Sequence, residues 1–356
     1  MPIKTPTIDL AEVGAGGGSI AWLDPEGVLR VGPRSAGADP GPACYARGGT
    51  APTVTDANLV LGYLSPDGFA GGSFDLDPDA AHRAVEEQIA GPLGTSVQNA
   101  AWAIHEAANA NMAAAIHVVT VQRGLDPRDH TLVAFGGAGP MHVVGVANHF
   151  GIAHVLAPPQ AGVASAIGMQ STDLTAEHGR TFLVAAEALR SDRAEELFAE
   201  VEAAARSKMG VAGDEEGLVV ERLLDTRFAG QAHEVSIPVA DLTKLDETPE
   251  RFRARYRELY GISPAGRVEY AALRVRLRLP VHRPPLVNDR SSAGARPEAS
   301  RTRPAYFGPG SADETQVIGR ASLGAGAEIE GPAIVEGPVD TTVIPPNWRV
   351  RVDPVG

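Results

Sequence analysis

The spacing of apolar positions predicts a loop-rich start, a helical middle and a mixed second half. Ile20-Ala21-Trp22-Leu23 and Val28-Leu29-Arg30-Val31 flank the turn Asp24-Pro25-Glu26-Gly27 and predict a hairpin. Thr55-Asp56 can cap a short helix over residues 57–61. Asp77, followed by Pro78 at the first helical position, opens a helix that should run to about residue 90 and stop at Gly91-Pro92. The longest helix is expected over residues 96–123. Its apolar positions Val97, Ala101, Ile104, Ala108, Met112, Ala115 and Val119 recur at three- and four-residue steps, and its alanines let a neighbour approach closely. Gly124 and Pro127 end it.

The run Thr131-Leu132-Val133-Ala134-Phe135 reads as a buried strand. A glycine turn at residues 136–140, a helix over 141–150 and a strand over 153–157 follow. The sequence strand, turn, helix, strand has the length of a βαβ unit. Residues 160–169 read as a further short helix. Beyond Phe182, charged helices over 192–209 and 249–260 alternate with strands over 218–228, 233–238 and 269–279. In the last of these, Leu273-Arg274-Val275-Arg276-Leu277-Arg278 alternates as a half-buried strand does. Residues 281–303 are rich in Pro, Ser and Arg and read as linker or flexible surface. Short strands at 333–335 and 341–344 then form a small β module. The expected division is therefore 1–182, an α+β domain at 183–280, a linker at 281–303 and the β module at 304–356.

Composition narrows the function classes. The 356 residues carry 44 acidic and 31 basic side chains, a formal charge of −13, which disfavours nucleic acid and anionic membrane as partners. Hydrophobic residues at 44% and charged residues at 21% match an ordinary globular protein, and the 40 glycines with 28 prolines point to many tight loops. One cysteine, Cys44, excludes an intramolecular disulfide and a multi-cysteine zinc site. No apolar stretch is long enough to span a bilayer, and the opening Met-Pro-Ile-Lys-Thr has no apolar core of a secretory signal. The default expectation is a soluble, cytoplasmic protein.

Two glycine clusters are the main chemical signals. Gly136-Gly137-Ala138-Gly139 lies between a strand and a helix, where backbone amides can approach a ligand and the helix start faces an anion. It lacks the lysine and hydroxyl of a P-loop and the spacing of the dinucleotide fingerprint, so close strand-to-helix packing is the commoner explanation. Gly14-Ala15-Gly16-Gly17-Gly18-Ser19 precedes a strand and reads equally as a surface loop or a ligand-facing one. Asp39 and Asp56, with Arg47 nearby, could bind a metal–nucleotide or polarise a carbonyl, although turn and helix capping is commoner. Cys44 reads as a small buried residue rather than a nucleophile. His142 with His149, two turns apart, and His105 with Asn109, one turn apart, are face pairs that rarely ligate metal. No G-x-S-x-G element is present. The turn over residues 225–231 reads as structural.

Longer motifs then carry a resemblance. Residues 13–21 (VGAGGGSIA), 35–45 (SAGADPGPACY), 53–62 (TVTDANLVLG), 123–128 (RGLDPR), 134–140 (AFGGAGP), 227–231 (RFAGQ), 331–336 (GPAIVE) and 341–346 (TTVIPP) occur in the order seen in the hydantoinase A / 5-oxoprolinase family. The resemblance covers nearly the whole chain. It implies an ATP-dependent enzyme that opens cyclic amides such as 5-oxoproline or hydantoins, with relatives among acetone- and acetophenone-type carboxylase subunits. The implied fold is α/β: part of an actin-like, ribonuclease H-like ATPase lobe, then an α+β domain and a small C-terminal β module. Gly136, Gly137, Ala138 and Gly139 would belong to the adenosine-side motif, with Gly14, Gly16, Gly17, Gly18 and Ser19 near the cleft. Asp39 and Asp56 are the polar candidates for chemistry. ATP and Mg are the implied cofactors. The implied partners are a hydantoinase B-like subunit and an N-terminal ATPase lobe.

The family's two Asp-x-Gly-Gly-Thr phosphate loops do not occur in these 356 residues. Phosphoryl transfer depends on such positioning and charge neutralisation. The expectation is a truncated product or one subunit of a split enzyme, inactive alone. Three readings stand: part of a cyclic-amide hydrolase, a carboxylase subunit, or a non-catalytic assembly module.

Overall fold

The computed structural model describes residues 11–67, 69–211, 215–262, 264–281 and 301–353. The fold is mixed α/β with several separate sheets. The compact units run differently from the four-part division read from the sequence. One comprises residues 1–167 with 285–356, the other 168–284.

The first unit opens with the predicted hairpin, β1 (Ser19–Leu23) antiparallel to β2 (Leu29–Ser35). Helix α1 (Val54–Val60) starts three residues before the expected position, because Thr53 is its cap. Thr53 and Asp56 exchange hydrogen bonds in a capping box. Helix α2 (Pro78–Val85) has the expected Asp77 cap. It does not stop at Gly91-Pro92. A π-turn over Glu86–Ala90 lets Gly91 N–H reach Glu86 O, and one more turn, α3 (Gly91–Leu93), accommodates Pro92 before Gly94 ends it. The long helix α4 (Val97–Val119) is capped by Ser96. Its buried positions are Val97, Ala100, Ala101, Ile104, His105, Ala108, Asn109 and Ala113, so the predicted stripe holds for its first half only. The alanines admit α1 and α2 closely around Ile89, Leu61 and Tyr63.

Strand β3 (Leu132–Val133), helix α5 (Gly139–Phe150) and strand β4 (Val155–Leu156) form the predicted βαβ unit, with β3 and β4 parallel, but β3 is only two residues long and the run expected to be buried is exposed at Val133 and Phe135. Helix α6 (Ala164–Gln170) follows.

In the second unit, a four-stranded antiparallel sheet has the order β5-β8-β6-β7, formed by β5 (Leu174–Ala185), β6 (Val219–Phe228), β7 (Val235–Pro238) and β8 (Val268–Leu279). Helices α7 (Ser191–Met209) and α8 (Thr248–Tyr260) pack on it over Phe198, Val201, Phe252, Leu273, Val275 and Leu277. β5 escaped the sequence reading. It is an edge strand with exposed Leu174 and Leu183, and its alternation is weak.

The final strands return to the first unit. β9 (Arg301–Ala305), β10 (Asp313–Gly319), β12 (Ala333–Glu336) and β13 (Thr341–Ile344) make a sheet of order β13-β12-β10-β9, and β11 (Glu328–Glu330) pairs with β14 (Arg349–Arg351). Arg303 donates to Gly62 O (2.6 Å) and Tyr63 O (2.8 Å), and Tyr63 donates to Tyr306 O (2.6 Å). These bonds tie β9 to the end of α1. Of the expected linker, residues 282–300 lie outside the described residues, and Arg301 already belongs to β9. No helix among the described residues is long and apolar enough to cross a membrane.

Candidate functional site

The loop 14–19 folds back on itself before β1. Ser19 is buried. Its hydroxyl donates to Gly14 O (3.2 Å) and accepts from Gly16 N (3.0 Å), which closes the turn. Gly17 O accepts both the N–H (2.8 Å) and the hydroxyl (2.9 Å) of Thr55 at the start of α1. A Cβ at Gly17 would lie 2.8 Å from Thr55 Oγ1, so glycine lets this loop close on the start of α1, and 3.9 Å from Ala138 Cβ, an ordinary contact distance to the second loop. The glycine clusters, over a hundred positions apart in sequence, thus meet in space. Gly18 O accepts from Ala36 N (2.8 Å), which brings the Asp39 segment alongside.

The second cluster turns from β3 into α5. Gly136 N–H donates to Ala161 O (2.7 Å). Ala138 occupies the cap position of α5 and packs on the core of the first unit. A Cβ at Gly137 would lie 3.8 Å from Val339 O, so the loop before β13 borders the same turn. Cβ atoms at Gly16, Gly136 and Gly139 would meet nothing within 4 Å. The backbone at these three glycines therefore borders open space. No group of three His, Cys, Asp or Glu side chains able to hold a metal occurs among the described residues.

The two aspartates are placed differently. Asp39 is exposed. Asp56 is fully buried, and its carboxylate accepts from Ala43 N (3.2 Å), Cys44 N (2.7 Å), Thr53 N (2.8 Å) and Thr53 Oγ1 (2.7 Å). It pins the loop that follows Asp39 to the start of α1. Cys44 is buried beside it, and burial pushes its thiol well above the ordinary range, with the Asp56 carboxylate adding to the effect. That disfavours a thiolate nucleophile.

A buried polar cluster lies one helical turn behind the loops. His105 Nδ1 meets Asn58 Oδ1 at 2.8 Å, Asn58 Nδ2 meets His142 Nε2 at 3.1 Å, and His142 Nδ1 meets Asn109 Oδ1 at 2.8 Å. The two imidazoles stack with centroids 4.2 Å apart. Burial pushes His142 down to about 4. Burial, then the neighbouring His142, holds His105 well below its usual value. The sequence reading paired His142 with His149, but His149, two turns further along the same face at the end of α5, is exposed. The signal was present as His105 and Asn109 interrupting the alanine stripe of α4; their partners on α1 and α5 were not readable from spacing.

The sequence model described as Hydantoinase/oxoprolinase matches residues 1–178, and that of the Hydantoinase/oxoprolinase C-terminal domain matches residues 185–355. The chain belongs to the hydantoinase/oxoprolinase family. An uncharacterised protein of Methanocaldococcus jannaschii is 38% identical over 100% of this chain and 51% of its own length. Caprolactamase subunit alpha of Pseudomonas jessenii is 36% identical over 99% of this chain and 52% of its own. The solved ATP-dependent caprolactamase of that organism matches with a TM-score of 0.72 at 35% identity, over 96% of this chain and 51% of that one. A nucleotide-free acetone carboxylase structure, described with ATP-dependent acetone carboxylation, matches with a TM-score of 0.85 at 26% identity, over 96% of this chain and 51% of that one. The chain spans about half the length of the curated relatives it matches.

Proposed function

We propose that this chain supplies the adenosine-side wall of an ATP-dependent enzyme that opens cyclic amides. The observation that carries the reading is the meeting of the two glycine loops, with Gly17 against Ala138 and open backbone at Gly16, Gly136 and Gly139. Gly136, Gly137, Ala138 and Gly139 would face the nucleoside, and Gly14, Gly16, Gly17 and Gly18 would border it from the other side. Ser19 shapes the first loop. Asp39, exposed on the adjoining segment, is the group free to meet substrate, and Asp56 positions that segment. The short parallel pair β3–β4 with α5 between them fits one corner of a ribonuclease H-like lobe.

ATP, when bound, would supply the phosphoryl group that activates the amide oxygen, so that water can add to the ring carbon, the ring C–N bond breaks with the nitrogen leaving as the amine, and phosphate is released on hydrolysis. No Asp-x-Gly-Gly-Thr loop is present to hold the triphosphate, so those contacts, and a magnesium ion riding on the phosphates, fall to a second lobe. A hydantoinase B-like subunit would complete the assembly. The carboxylase reading draws support from the TM-score of 0.85 to acetone carboxylase. It would share the same nucleotide wall and differ in the bond made, the carbon beside the activated carbonyl attacking a carboxyl donor instead of water adding to the activated carbon.

The test is phosphate release by the purified chain with ATP and magnesium, with and without 5-oxoproline, hydantoin or caprolactam. The reading expects nucleotide binding without substrate-dependent release. Release that depends on one of these rings would overturn the division of labour between two lobes.

A further inference from the structure

The buried cluster behind the loops has a direction, and one anchor fixes it. Glu106 Oε1 can only accept, so Asn109 Nδ2, at 2.8 Å, donates to it. That orients the Asn109 amide, and its Oδ1 must accept from His142 Nδ1–H. A neutral His142 then accepts at Nε2, so Asn58 Nδ2 donates to it. Asn58 Oδ1 is left to accept from His105 Nδ1–H. Every step agrees with the next, giving a one-way chain from His105 through Asn58, His142 and Asn109 to Glu106. Such chains polarise along their length.

The chain spans three elements. Asn58 is on α1, His142 on α5, and His105, Asn109 and Glu106 are on α4, against which both other helices pack. Asn58 lies three residues after Thr55, whose N–H and hydroxyl hold Gly17 O. His142 lies three residues after Gly139, where α5 begins. The side of α5 is cut away for the contact, because a Cβ at Gly145 would overlap the Asn109 amide.

We infer that this five-residue chain is the positioning device of the two glycine loops, with Asn58 and His142 as its positioning residues, the Asn58–His142 hydrogen bond setting the separation of Gly17 from the Gly136–Gly139 turn. The inference rests on the nucleotide reading for its purpose but not for its geometry. Its consequence is that nucleotide affinity depends on residues that never touch the ligand.

The experiment has two arms on the full chain without nucleotide. In the wild type, imidazole nitrogen chemical shifts of labelled histidine should show His105 and His142 both neutral and both protonated at Nδ1 at pH 7. A proton on Nε2 of either ring overturns the chain. In Asn58→Leu, hydrogen exchange should quicken by at least about tenfold in peptides holding residues 14–19, 53–56 and 136–142, while the peptide of α7 is unchanged. Unchanged loops, or a rise spread evenly over the molecule, refute the positioning role. A wild type that shows these results yet binds no ATP would refute the nucleotide reading alone.

Discussion

In the sheet of the second unit, Arg274 and Arg276 of β8 reach sideways to carboxylates on both neighbouring strands. Arg274 pairs with Glu177 (2.9 Å) and Asp225 (2.6 Å), and Arg276 with Glu177 (3.0 Å) and Glu221 (3.1 Å). Around α4 in the first unit, the comparable polar side chains lie inside, and Asn58, Asn109 and His142 are wholly shielded from solvent. The two networks are of similar size, yet their energetics differ in kind. Asp225 beside Arg274 is buried, but at the Arg276–Glu221 end, where the side chains are 39% and 41% exposed, the ladder can exchange a lost partner for water at little cost. A buried chain cannot, because each orphaned group keeps its full desolvation penalty. The ladder dresses a sheet, whereas the buried chain and Asp56 fix where loops go.

The largest effect should come from Asp56→Ala. It leaves Ala43 N–H, Cys44 N–H and Thr53 N–H without their acceptor inside the protein, at a cost of about 3–5 kcal/mol in denaturant unfolding of the first unit. A loss below about 1 kcal/mol would mean that the loop after Asp39 is held by something else.

Acid should separate the units next. The unfolded His142 imidazole takes up its proton near pH 6.5 and the folded one near 4, so between these values the unfolded state binds the extra proton. Stability of the first unit should therefore fall as pH drops through that window, by about 3 kcal/mol from this group. Denaturation midpoints measured from pH 7 to pH 4, compared with His142→Asn, would show the dependence flattened in the variant. An identical slope in both would assign the acid sensitivity elsewhere.

Gly145→Ala ranks third. The methyl group must push Asn109 aside, for about 1–3 kcal/mol. Thermal unfolding near that of the wild type would show that α4 and α5 can move apart freely. The smallest effect belongs to the ladder. Arg276, with its side chain 39% exposed, should cost no more than about 1 kcal/mol when changed to Ala, a result checked in the same denaturant series.

The same contrast explains what the sequence could reveal. The ladder strand was legible because Leu273, Val275 and Leu277 alternate with Arg274, Arg276 and Arg278, a pattern local to six residues. The βαβ unit and the cap at Asp77 were legible for the same reason. The site was legible only in parts. The glycine clusters could be found singly, but the bond from Thr55 that holds Gly17 to α1 spans 38 positions, and the approach of Gly17 to Ala138 is likewise non-local. The histidine chain joins residues 84 positions apart, and nothing in helical spacing could pair Asn58 with His142. The extension of the second helix past Pro92 was hidden because a π-turn absorbs the missing donor.

The measurement that bears most directly on the nucleotide wall is calorimetric titration of ATP into the wild type and Gly137→Val. Gly137 stands in ordinary backbone with only Val339 O near it, at 3.8 Å from a Cβ, so the variant should fold with its melting temperature nearly unchanged. The account predicts that its affinity for ATP falls at least about tenfold, roughly 1.4 kcal/mol. Equal affinity in the two proteins would contradict it.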